Sequence, residues 1–116
     1  MPSFSPLASL SELPVQEPSV RAAFARLLGE FECAASLARA VWEFALELPR
    51  LRQTGLSDAC LRALIDAGHV EHRVEQTPRA RHRSFRAAVS GHWHKGSRFV
   101  LTAAGARLAR RCLVLM

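Results

Sequence analysis

Apolar positions recur at helical spacing from Pro18 onward: Val20, Phe24, Leu27, Leu28, Phe31, Ala35, Ala38, Val41, Trp42 and Ala45 advance by three or four residues. Glu17 and Pro18 suit the start of such a helix. Gly29, worth about 1 kcal/mol against alanine in a helix interior, marks where it would split if it splits. The pattern predicts an end near Leu48, because Pro49 cannot continue a helix but fits the first turn of a new one. Residues 49–53 then read as a single turn, stopped by Thr54-Gly55, with Leu51 and Leu56 as its anchors.

The next stretch organises the chain. Ser57 is a ready N-cap, Asp58 places negative charge in the first turn, and Leu61, Leu64 and Ile65 form one apolar face. Gly68 ends this helix by supplying a left-handed cap. The chain leaves directly into a strand in which Val70, His72 and Val74 share one side. About 25 residues later a β-prone run, Arg98-Phe99-Val100-Leu101, meets Thr102 as an N-cap and continues as a helix containing Leu108.

The motifs LRALIDAGHV and FVLTAAGARLA, separated by a basic loop, carry a resemblance. Over residues 33–111 the chain resembles the winged-helix domains of bacterial transcription regulators. The resemblance implies an α+β fold, mainly helical with a small β-hairpin, here with an added N-terminal helix. It also implies that the helix after Ser57 is presented to DNA in a helix-turn-helix, with the hairpin after it as the wing. The expected domain spans residues 18–116, preceded by a flexible arm or strap over residues 1–17 carrying Phe4, Leu7, Leu10 and Leu13.

Charge sharpens the expectation. The 116 residues carry a net +6, but all ten acidic side chains lie at or before Glu75. Residues 1–75 hold seven arginines against those ten, a net −3, and residues 76–116 hold nine cations and no carboxylate, a net +9. That asymmetry suits a polyanionic partner for the second half, duplex DNA first. Between Gln76 and Gly96 stand Arg79, Arg81, Arg83, Arg86 and Lys95, interleaved with His82, His92, His94 and Trp93. Planar guanidiniums bind phosphate oxygens bidentately. With Arg62, Arg73 and Arg98 these are the expected nucleic-acid contacts. Arg79, Arg81, Arg83 and Phe85 share strand parity, and Phe85 and Trp93 equally suit packing.

The helix face opposite Leu61 and Leu64 offers few base readers. It holds Asp58, Ala59, Arg62, Ala63 and Asp66, of which Arg62 alone suits a base edge. A protein-interaction or dimerisation module without specific DNA readout is therefore the second reading. Phe24, Leu27, Leu28 and Phe31 exceed what a small winged helix needs. They belong either to the domain's own core or to a homodimer contact.

Other chemistry is sparse. Five histidines lack the thiolate pairs or ordered spacing of a zinc site, although His92, His94 and His72 are within conceivable reach of one another. Cys33, Cys60 and Cys112 do not form a disulfide framework. No nucleophile elbow, P-loop or dinucleotide fingerprint occurs, so neither an enzyme nor a cofactor is expected. With no secretory signal and no apolar run long enough to span a bilayer, the expected location is the cytoplasm.

Overall fold

The computed structural model describes residues 18–76, 83–88 and 92–114. Among these residues the chain is α+β, with four α-helices and a four-stranded antiparallel sheet. In order it forms α1 (Pro18–Ser36), a 3-10 turn (Val41–Phe44), β1 (Leu46–Glu47), α2 (Leu48–Arg52) and α3 (Asp58–Asp66). Then follow β2 (Val70–Gln76), β3 (Ser84–Ala87), β4 (Ser97–Leu101) and α4 (Ala103–Val114). The strands lie in the order β1-β4-β2-β3. The N-terminal arm expected over residues 1–17 lies outside the described residues.

α3 forms for the reasons its sequence gives. The Ser57 hydroxyl accepts the Cys60 N–H at 3.1 Å, closing the N-terminus. Gly68 adopts φ +82°, which lets its N–H reach the Ile65 carbonyl at 3.0 Å and the His69 N–H reach Leu64 at 2.9 Å. That pair of bonds satisfies two carbonyls the helix end would otherwise leave open. Leu61 and Leu64 are buried and Ile65 half-buried.

α1 departs from expectation. It runs through Gly29 without a break and stops at Ser36, well short of Leu48. Ala38 takes the left-handed position usually given to glycine, at φ 53°, and Arg39 N–H bonds back to Ala34 at 2.9 Å. The three-four spacing continues past this stop because Val41 and Trp42 belong to the 3-10 turn. Periodicity alone could not mark the end.

Of the two roles open to the apolar face of α1, the packing within the chain fills the first. Phe24, Leu27 and Leu28 are buried in one cluster with Ala106, Leu108, Ala109 and Cys112 of α4. Phe31 is half-buried against the same cluster, with the Arg110 guanidinium 5.9 Å from its ring. α4 therefore covers the side chains that looked surplus.

One corner sets how α4 meets the rest. Thr102 donates its hydroxyl to the Gly68 carbonyl at 2.6 Å and accepts the Gly105 N–H at 3.0 Å, while its own N–H reaches His69 O at 3.1 Å. At Gly105 the α4 backbone passes so near β2 that a Cβ there would lie 1.9 Å from the His69 carbonyl oxygen.

Two substitutions test this account with opposite signs. Gly105→Ala forces α4 off its seat and is expected to lower stability by about 2 kcal/mol or more. Ala38→Gly relieves a left-handed alanine and is expected to raise it by up to about 1 kcal/mol. Urea melts of both variants read the two signs directly; a neutral Gly105→Ala would contradict the close approach.

Candidate nucleic-acid interface

Strand parity divides the sheet. Val70, His72 and Val74 of β2 face inward with Leu101, Phe99 and Ser97 of β4, their register partners. Arg73 and Glu75 point to the other face, where β3 sets Phe85 opposite Glu75 and β4 sets Arg98 opposite Arg73.

That outer face is an ion-pair hub. Glu75 accepts both Arg83 (2.8 and 3.0 Å) and Arg98 (3.0 Å), with its side chain only 10% exposed. Arg83 spends its remaining terminal nitrogen on the Glu43 carbonyl at 2.9 Å and lies 5.3 Å over the Phe85 ring. Phe85 in turn packs on Trp42 at 5.1 Å, and Arg73 lies 4.5 Å over Trp42 while pairing with Glu71 at 2.9 Å. The hairpin base is thus pinned to the 3-10 turn. The Arg83 hydrogen bond, with the charges of Arg83 and Arg98, holds the Glu75 carboxyl below the usual carboxylate range, against the effect of burial.

A second cluster sits between α3 and the sheet. The Arg62 guanidinium lies 4.3 Å over the Trp93 ring, and Trp93 Nε1 donates to Asp58 at 3.2 Å. Asp58 also takes Arg52 at 3.0 Å, which holds its carboxyl below the usual range. Beneath Trp93, the His72 ring stacks on Phe99 at 4.8 Å, and its Nε2 lies 2.8 Å from the buried Ser97 hydroxyl. Burial first, then the charges of His94 and Arg62, push the His72 imidazole down. Arg62, Ile65, Val70, His72 and Trp93 line an open groove of about 420 Å³ here.

The structure therefore sorts the expected phosphate contacts. Arg83 and Arg98 both pair with the Glu75 carboxylate, with Glu47 4.0 Å from Arg98; the Arg98 side chain is 14% exposed and that of Arg83 31%. Arg62 and Arg73 are each laid on an indole, Arg73 with a carboxylate partner besides. Arg86 and Lys95 are exposed, and neither has a carboxylate partner among the described residues. Arg79 and Arg81, with His82, lie outside the described residues. The sequence reading missed Glu75 as the residue on which the hairpin's charge turns. It also missed Trp42 as the hairpin's dock; the absence of any later carboxylate was the available signal for the first.

Among the described residues no three His, Cys, Asp or Glu side chains gather as metal ligands, and no helix is long and apolar enough to cross a membrane. Comparison with protein-family models, curated proteins and solved structures gives no significant match.

The Glu75 hub has an acid limit. A carboxyl held below its unfolded value stabilises the fold above about pH 4.3, the free glutamate value, and that stability is lost as pH falls below it. Glu75→Gln is expected to cost about 2 kcal/mol at pH 7 through two weakened charge-assisted pairs. It should also flatten the loss of stability between pH 5 and pH 3. Melts at three pH values measure both; an unchanged acid slope would place the titration elsewhere.

Proposed function

We propose that this is a winged-helix nucleic-acid-binding protein, of the kind that serves transcription regulation, which grips phosphates through its hairpin and reads bases weakly. The order of elements supports it: α1, an edge strand, the α2–α3 pair, then β2, the hairpin and β4, with β4 between β1 and β2. The observation that carries the reading is the charge left over. Arg83 and Arg98 share the single Glu75 carboxylate, whereas Arg86 and Lys95 stand exposed and without a carboxylate partner among the described residues, in a segment with no acidic residue. Duplex DNA is the expected ligand, because a phosphate backbone answers such cations without needing base contacts.

A second reading rests on α3. Its outward residues are small or acidic, with Ala59 and Asp66 exposed and Arg62 held on Trp93. That surface suits a protein partner better than a base edge, which defines a winged-helix interaction module.

Salt titration separates the two. On duplex DNA, Arg86→Ala and Lys95→Ala should each reduce the slope of log K against log [salt] by about 0.9. Arg83→Ala, whose charge is shared with Glu75, should weaken the hairpin while reducing the slope less than either. Slopes unmoved by the Arg86 and Lys95 variants would remove the hairpin mechanism. No binding to duplex, single strand or RNA at low salt would leave the interaction module as the function.

A further inference from the structure

His69 occupies the corner where α3, β2 and α4 meet, and its backbone and ring are treated differently there. The backbone is fully used: its N–H reaches Leu64 O at 2.9 Å and its carbonyl takes the Thr102 N–H at 3.1 Å. The ring is only 9% exposed with its residue, and neither Nδ1 nor Nε2 has a hydrogen-bond partner among the described residues. Buried polar groups are nearly always paired, so an imidazole with both nitrogens bare calls for a physical reason.

The surroundings give one. Titratable and charged side chains on the elements of this corner include Asp66 on α3, Glu71 and His72 on β2, and Arg107, Arg110 and Arg111 on α4. Of these, Arg111 alone acts on His69, and it disfavours a proton. The Ala104 carbonyl acts weakly the other way, yet makes no bond of normal geometry with the ring. Burial is the largest influence and, with Arg111, keeps the ring neutral. A charged ring here would have two N–H donors, no acceptor at hydrogen-bonding geometry among the described residues, and a like charge nearby.

We propose that His69 is the trigger of an acid-sensitive joint, whose protonation releases the first turns of α4 from the α3–β2 corner while the β2–β4 ladder stays paired. α4 is the element that yields, because it meets the corner through the capping bonds of Thr102 and the bare backbone contact at Gly105. β2 and β4, in contrast, are held along five register pairs from Val70↔Leu101 to Val74↔Ser97. The sign follows from linkage. A base that is harder to protonate folded than unfolded contributes stability above its free value, near pH 6.5. That stability is lost as pH falls through the interval between the free and folded values. His72 has the same sign, but its Nε2 faces the Ser97 hydroxyl at 2.8 Å, an oxygen able to accept an added N–H. Charging His72 therefore leaves one less bare donor.

Amide hydrogen exchange of the intact chain between pH 7.5 and 5, expressed as protection factors, tests the joint. Protection across residues 106–109 is expected to drop about tenfold for each pH unit below 6.5 at which His69 remains neutral in the folded state. Protection in β2 and β4 should hold over the same interval. His69→Gln, which keeps a polar side chain but does not titrate, should abolish the pH dependence, and His72→Phe should retain it. Because a replaced corner residue can fail to fold, the wild-type His69 ring is also titrated by NMR and should change below the free imidazole value near pH 6.5. The proposal is overturned by pH-independent protection of α4, by loss of α4 and the sheet in step, by ordinary titration of His69, or by a pH dependence that survives His69→Gln.

Discussion

The contact between the Gly105 backbone and the His69 carbonyl fixes more of this molecule than any side-chain interaction. It lets α4 begin only two residues after β4 ends and still lie against the start of β2. From that seat α4 delivers Ala106, Leu108, Ala109 and Cys112 to the cluster containing Phe24 and Leu27 of α1. A side chain at position 105 would displace α4, uncover α1 and break the Thr102 bonds that close the end of α3. One glycine therefore couples the helical core to the sheet, and the same corner holds the buried ring of His69.

Charge is organised by the second constraint, the nearly buried carboxylate of Glu75. Nine cations follow it in sequence without a carboxylate, but their number overstates the field offered to a ligand. Glu75 takes Arg83 and Arg98, and Arg110 pairs with Glu32 at 3.3 Å. The last acidic residue of the chain thus lies where it offsets charge at the base of the hairpin, while Arg86 and Lys95 have no carboxylate partner among the described residues. Internal pairing also stiffens the hairpin, because Arg83 ties it to the 3-10 turn through Glu43 O.

Much of this was legible from sequence where a local signal had one physical meaning. Ser57 and Gly68 bound α3 because capping is decided within a few residues of backbone. Val70 and Val74 faced inward because strand parity has a period of two. The length of α1 was illegible, since Ala38 stands where a glycine would have announced the turn. The fate of Phe24, Leu27 and Leu28 was illegible for another reason. Whether an apolar face meets its own chain or a second copy depends on where α4 goes, and that rests on the close approach at Gly105. The site divided similarly: strand parity placed Arg83 beside Phe85, but pairing of Arg83 with Glu75 across the hairpin depends on register.

Trp93 explains why fold and base reading need not travel together here. Its indole N–H is held by Asp58, its face carries Arg62, and its edge meets His72 and Phe99. To reach a base edge, Arg62 must leave the indole, giving up a cation–π contact of about 0.5–2 kcal/mol. A good bidentate base contact supplies about 1–3 kcal/mol of discrimination, so the net gain from moving Arg62 is small. Under the proposed nucleic-acid reading, phosphate contacts by Arg86 and Lys95 would carry no such cost, because neither side chain has a carboxylate partner to leave among the described residues. On that reading the balance of these two terms would favour attachment to the backbone over selection among sequences.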